Sequence, residues 1–464
     1  MTGGPCDRPM TQSSDVRYAA RLGTFSGTML VVGGIIGAGI FLSPSIVVQR
    51  VGTAPLTMGA WGLGAVVAII GGFVYAELGA RRPKAGGTYV YLREAFGTLP
   101  AFLYGWALFL IIGTGAIAAV AMTGANYLAE LLGLPAEAGR PIAIALIVVL
   151  TALNVAGVRI GATTGNVLTV LKLSAIALLV VAALVLSPRA DAVLPVAAVP
   201  VTLTPPTGWS DTIAAMGAAL VPVLFSFGGW QQTNAVAEEL VDPARTLPKV
   251  LILGVLIVAA TYLLVNMAYL RALGLEGLAA SRAPAADSMQ IYLGPVGRTL
   301  ITFGIVTSTV GFLSMVILMS ARVYQAMAAD GLFFRSMAQL HPRTQTPVSA
   351  LLWQGVVALV LLLSGTYGQL LDYVVFADWI FFGSTAATLF VLRARDAARG
   401  EHIAVRAPGH PFTTVLFVAA AGYVVIGSVV SNPGNALRGA ALLALGLPVY
   451  AYWMRQRSRS ERSP

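Results

Sequence analysis

Charge is what this chain has least of. Only 10% of its 464 residues are Asp, Glu, Lys or Arg, against roughly 25% in an ordinary soluble domain. So few charges do not cover the surface of a soluble protein of this size, which excludes a cytoplasmic globular enzyme. Cysteine occurs once, at Cys6, so no disulfide framework forms within the chain. Histidine occurs three times, at His341, His402 and His410, all in predicted loops and none at metal-ligand spacing. The first 20 residues have no apolar core of the kind a cleavable signal peptide needs. The alternating pattern of a membrane β-barrel is missing too, because the apolar runs at 142–153 and 175–186 are continuous. No polar stretch is long enough for a separate soluble domain.

What the chain has is apolar length. AVILMFWYC residues make up 57% of it, and mean hydropathy is +0.81. Windows of spanning length fall at 22–48, 55–80, 100–132, 140–158, 163–187, 210–241, 248–271, 297–327, 347–365, 368–393, 412–431 and 436–454. About twelve transmembrane helices are therefore expected in an all-α membrane protein, and an even number puts both termini on one side. With the termini inside, 21 Lys and Arg residues fall inside, seven outside, and Lys172 alone lies within a span. That bias predicts cytoplasmic termini. It also accounts for the net charge of +10 as a topology signal, so no nucleic-acid partner is expected. The basic tail 455–464 is expected to touch anionic lipid heads.

Two spans stand apart. The first holds Gly33, Gly34, Gly37 and Gly39 within seven residues, and the sixth holds Pro222 followed by Gly228-Gly229. Glycine is a poor helix former and proline removes a backbone donor. Each of these spans opens a group of five. The expected organisation is a tail at 1–21, repeats at 22–187 and 210–393, two appended helices at 411–454, and the basic tail. Interrupted spans at matched positions in two halves point to a carrier's binding site.

A helix break at membrane depth is tolerated where it lines a cavity or is buried in protein. The second half-helix then offers free N–H groups and a positive dipole end, around Gly37, Ala38 and Gly39. The first half-helices offer free carbonyls, near Ile35 in span 1 and near Phe225 and Ser226 in span 6. An anion at the amides and a cation at the carbonyls describe the zwitterionic end of an α-amino acid.

GGIIGAGIF in span 1, FSFGGWQQTNAVAEELVDPARTLPK through span 6 and YAELGARRPKAGGTYVYLREAFG after span 2 resemble the amino acid–polyamine–organocation superfamily. The resemblance is nearest to the L-type amino acid transporters and their bacterial homologues, and it covers roughly residues 22–395. It implies a five-plus-five inverted-repeat fold with helices 1 and 6 broken, working by alternating access in the cytoplasmic (inner) membrane. It implies that Gly37, Ala38 and Gly39 hold the substrate carboxylate, that Ile35, Phe225 and Gly228 give carbonyls to the amine, and that Phe225 is the gate. Where relatives often have Ser, this chain has Ala38, which keeps the amide and loses the hydroxyl.

Lys172 lies about 13 Å into span 5 at helical rise, a depth awkward for snorkelling. It is expected to stand in for a coupling cation beside the broken span 1, as the resemblance supports. The possible pocket residues are Thr114, Gly115, Gln231, Asn234 and Asp378. Glu77, Glu238 and Glu239 are expected to pair with arginines near the inner interface. Residues 84–96 read as a short amphipathic helix on that face.

The expected function is sodium-independent exchange or proton-coupled uptake of neutral L-amino acids. The alternative is a cationic amino acid or polyamine carrier, which would need an acidic partner such as Asp378. No HExxH, no GxxxxGK[ST] and no repeated filter occurs, so no catalytic residue, metal or cofactor is expected. The predicted loop 132–141 has no cysteine, so no disulfide-linked heavy chain is expected. The expected partners are an amino acid and membrane lipid.

Overall fold

The computed structural model describes residues 18, 20–189, 203–364, 367–401, 403–431 and 433–460. Cys6, His402 and nearly all of the N-terminal tail lie outside the described residues, as does the end of the basic tail. Among the described residues the secondary structure is helical apart from one isolated parallel bridge between Leu22 and Leu240. Nine helices among the described residues, or ten if one bent pair counts as a single span, are long and apolar enough to cross a membrane. Large side chains such as Val66, Val149, Val181 and Val430 are exposed on the outer faces of these helices. Water would not tolerate that belt, whereas lipid does. The chain is a multi-pass membrane protein.

The first two helices are α1 (Thr24–Ile35) and α2 (Gly39–Val51), bent by 41° at the three residues between them. They are followed by α3 (Ala54–Arg81), α4 (Thr88–Phe96) and α5 (Thr98–Ala107). Thr53 caps α3, accepting from the Leu56 amide at 3.4 Å, and Pro55 occupies its first turn. Helix α4 starts four residues later than the sequence pattern suggests, because Gly86 and Gly87 both have positive φ. A π-helical turn, Leu108–Ile112, joins α5 to α6 (Gly113–Leu131). Next come α7 (Gly139–Ala156), α8 (Val158–Val185) and α9 (Trp209–Phe227). A 3₁₀ segment, Trp230–Glu239, separates α9 from α10 (Pro243–Ala280) and α11 (Pro284–Ala329). These last two outrun the predicted spans because each absorbs an adjoining loop as helix, turning at Gly274 and Gly294. The chain ends with α12 (Val348–Leu363), α13 (Tyr367–Ala398), α14 (Phe412–Ser431), α15 (Pro433–Ala444) and α16 (Gly446–Ser460). The predicted window 436–454 is thus shared between two helices.

Helix α1 is the centre of the packing, buried from Gly27 to Ile35 and flanked by α8, α10, α11 and the 3₁₀ segment. Helix α2 packs along α9. This arrangement brings the interruption after α1 against the interruption after α9.

Candidate functional site

Helix α1 ends where glycines weaken it. Ile36 takes φ −74°, ψ 91°, an inverse γ-turn in which the Gly37 amide donates to the Ile35 carbonyl at 2.9 Å. Helix α2 starts at Gly39, so the first amides of a new helix, with no intrahelical acceptor, face the break. In α9, Pro222 lacks the N–H that would pair with the Ala218 carbonyl, and the Arg50 guanidinium of α2 donates to that carbonyl instead. Helix α9 stops at Phe227, and Gly229 turns the chain at φ 120°.

The two breaks touch through backbone. A Cβ on Gly229 would lie 2.0 Å from the Gly34 carbonyl oxygen, and one on Gly39 would lie 2.9 Å from Ser226 Cα. Neither glycine has room for a side chain, and Gly229 also has a backbone conformation that L side chains rarely adopt.

Three buried side chains fill the polar space around the breaks. Lys172 Nζ, from α8, donates to the carbonyls of Gly33 at 3.2 Å and Ile36 at 2.5 Å, and the lysine is fully buried. Ser308 Oγ, from α11, reaches the same Ile36 oxygen at 3.2 Å. Tyr262 OH, from α10, lies 3.2 Å from the Ile35 carbonyl and 3.0 Å from the Ser226 carbonyl, so its one proton can serve either break. An ammonium in an apolar interior is costly unless it is hydrogen-bonded. The negative end of the α1 dipole offsets that cost here. Ser226 Oγ completes the cluster, donating to Ser43 Oγ of α2 at 2.9 Å.

The other residues singled out in the sequence divide into those at the breaks and those away from them. Ala38 and Gly39 are half-buried and Gly37 is buried. Phe225 is 39% exposed while Phe227 is 1% exposed, the latter against Tyr262 at 4.9 Å and Trp61 at 6.0 Å. The Gly228 amide donates to the Phe225 carbonyl at 3.1 Å. Gln231 Oε1 accepts from the Gly229 amide at 3.0 Å, bracing the turn. Asn234 instead fastens the 3₁₀ segment to α3 and α4, through the Tyr75 carbonyl at 3.1 Å and Tyr91 OH at 2.9 Å. Thr114 Oγ1 donates to the Phe109 carbonyl at 2.8 Å, within the π-helical turn, and Gly115 is buried beside it. Asp378 is half-buried on α13. Sequence reasoning missed Tyr262, Ser43 and Ser308. The polar run Thr307-Ser308-Thr309 was a usable signal, whereas a lone tyrosine in an apolar helix was not.

The end of the molecule that holds α4 is fastened by ion pairs. Arg322 and Glu239, both fully buried, pair at 2.7 Å, and the Tyr18 ring lies 5.7 Å from that guanidinium. The amides of Arg21 and Leu22 both donate to the Glu239 carbonyl at 2.9 Å. Glu77 accepts from Arg81 at 2.7 Å and Arg393 at 2.6 Å, while Asp396 accepts from Arg81 and Arg82. On α4, Tyr89 OH donates to Asp330 at 2.7 Å. Burial, and then the Asp330 charge beside it, holds the Tyr89 hydroxyl above its ordinary range. Glu77 and Glu239 thus pair with arginines, Glu239 with one not expected from the sequence. Glu238 instead accepts from the Ala85 amide at 3.1 Å.

Two buried helix breaks joined by Tyr262, the first of them holding Lys172, in a protein rich in apolar spans, fit a membrane carrier. Residues 22–446 match the family model described as amino acid permease, and the chain belongs to that family. It is 30% identical over 444 residues to the serine/threonine exchanger SteT of Bacillus subtilis (strain 168), covering 95% of this chain and 98% of that protein. It is 30% identical over 451 residues to the large neutral amino acids transporter small subunit 2 of Rattus norvegicus, covering 94% of this chain and 82% of that one. Against the Asc-type amino acid transporter 1 of Mus musculus the identity is 31% over 451 residues, with the same shares covered. The chain is an amino acid transporter and not an enzyme.

Proposed function

We propose that this permease exchanges or takes up small and mid-sized neutral L-amino acids across the cytoplasmic membrane without sodium. It has twelve spans in a five-plus-five inverted repeat, with both termini inside. The observation that carries the reading is the position of Lys172: its ammonium sits on the carbonyl end of α1, where a free cation would otherwise have to bind. The names of the serine/threonine and neutral amino acid relatives favour a side chain without charge.

In this reading the substrate carboxylate meets the amides of Ala38 and Gly39 at the start of α2, and the Gly37 amide once it leaves the Ile35 carbonyl. The ammonium meets the Phe225, Ser226 and Gly228 carbonyls, and the Ile35 carbonyl once Tyr262 OH turns from it to Ser226, and Phe225 closes over both. Leu42, Ile46 and Gln49 on α2 and Asp211, Ala214, Ala218 and Phe225 on α9 are exposed at helical spacing. Those two faces lead from the breaks to the end opposite the charged clasp, which supports an approach from outside. Thr114 and Gly115 form part of the side-chain wall.

The half-buried Asp378 favours one second reading, a cationic amino acid or polyamine as cargo. Uptake into proteoliposomes preloaded with the same solute separates the two. Serine, alanine and leucine should exchange, while their amides and decarboxylated amines should not. Putrescine or arginine moving as fast as alanine would overturn the neutral assignment.

A further inference from the structure

A groove of about 710 Å³ lies on the flank of the molecule, away from the helix breaks, between α5, the π-helical turn, the loop after α11, and α16. Its floor is aromatic. Phe109 and Phe333 are buried with ring centres 5.2 Å apart, and Phe334 meets Trp453 edge-on at 5.4 Å. Its rim is basic and polar. Arg335 and Gln456 line it, Gln456 Nε2 donates to Tyr452 OH at 2.7 Å, and Arg455 is exposed next to Gln456. Neither Arg335 nor Arg455 has an acidic partner among the described residues. Along α16 the lining runs from Val449 to Gln456, about 10 Å at helical rise, and Arg455 adjoins it at the Gln456 end. The groove therefore runs from a cationic edge down into apolar surface to the depth of the first part of an acyl chain.

We infer that this groove binds one anionic phospholipid, its phosphate on Arg335 and Arg455 and an acyl chain against Phe109, Phe334 and Trp453. A neutral lipid would fill the aromatic floor and leave both guanidiniums without an anion. A second copy of this chain docking here about a two-fold axis would set the same basic rim against itself, and like charges at close range repel. An anionic lipid satisfies both halves of the groove at once, as clusters of basic residues beside a membrane helix do. Phe109 belongs to the π-helical turn, a type of irregularity frequent at functional sites. Its carbonyl also accepts the Thr114 hydroxyl at 2.8 Å, so lipid occupancy bears on the third span. The inference rests on the chain crossing a bilayer, and not on the identity of its cargo.

Native mass spectrometry of the purified full-length protein tests it without reference to transport. The protein is mixed in detergent with equal amounts of phosphatidylglycerol and phosphatidylcholine of the same chain length. The wild type should retain one phosphatidylglycerol in preference to phosphatidylcholine. Arg335→Ala and Arg455→Ala should each lower that retention about fivefold. Val449→Trp, which fills the groove, should lower retention of both lipids. Arg343→Ala, at an exposed arginine outside the groove, should change nothing. Equal retention of the two lipids, indifference to Arg335→Ala and Arg455→Ala, or an equal loss in Arg343→Ala would overturn the assignment. A dimer that dissociates on Val449→Trp would replace the lipid with a second copy. Both arginine variants alter exposed side chains, so they test the site even if Val449→Trp fails to fold.

Discussion

Phe225 and Phe227 are two residues apart, yet they have opposite surroundings. Phe225 is 39% exposed, and Phe227 is packed between Trp61 and Tyr262. Phe225→Ala should slow counterflow more than it weakens substrate affinity, and Phe225→Trp should keep part of the rate. Phe227→Ala should cost about 3–5 kcal/mol of stability through the cavity it leaves, read as a fall in folded yield and melting temperature. Equal, purely stability-related losses at both positions would remove Phe225 from the mechanism. Tyr262→Phe keeps the ring contacts and deletes the hydroxyl shared by the Ile35 and Ser226 carbonyls. It should cost about 1–3 kcal/mol and lower the transport rate, because it unties one break from the other. A Tyr262→Phe variant with wild-type rate and melting temperature would make that hydroxyl incidental. Gly39→Val places carbon against Ser226 backbone. It should abolish binding, while Ala38→Ser, which retains the amide, should be tolerated; isothermal titration of purified variants distinguishes them.

At the scale of elements, much of the design was legible because backbone chemistry is written in residue type. Gly33, Gly34, Gly37 and Gly39 marked the end of α1, and Pro222 with Gly228-Gly229 marked the end of α9. Lys172 was conspicuous because a charge deep in an apolar span has few physical excuses. What the sequence did not disclose are partnerships set by packing. The hydroxyls of Tyr262 and Ser308 turn toward carbonyls far away in sequence, and Asn234 faces α3 and α4 rather than the break. Arg322 was counted only as an inside charge, yet it is fully buried on Glu239. Helix ends were misjudged where loops continued as helix, as in α10 and α11. The Arg322–Glu239 pair fastens α11 to the 3₁₀ segment, and breaking it strands a buried charge. Arg322→Met alone should destabilise by about 3–5 kcal/mol, and adding Glu239→Leu should recover most of the loss. Melting temperatures of the two single variants and the double variant check this. Additive losses would mean that the pair does not act as a unit.

For the molecule as a whole, the arrangement is one of two interrupted helices held together at their breaks, with one end fastened by ion pairs and exposed helix faces leading to the other. In the proposed mechanism, alternating access requires the clasp of Glu77, Asp396, Arg81, Arg82 and Arg393 to open while the exposed faces of α2 and α9 close. The backbone site at the breaks then stays fixed while access changes sides. The central claim of the proposal is that Lys172, at the carbonyl end of α1, takes the place of a free cation. Its most direct measurement is the initial rate of labelled serine exchange into proteoliposomes, with sodium replaced throughout by choline, for the wild type and for Lys172→Ala. The account predicts an unchanged wild-type rate in choline, and a Lys172→Ala variant that folds but transports far more slowly. A steep sodium dependence of the wild type, or a wild-type rate in Lys172→Ala, would contradict it.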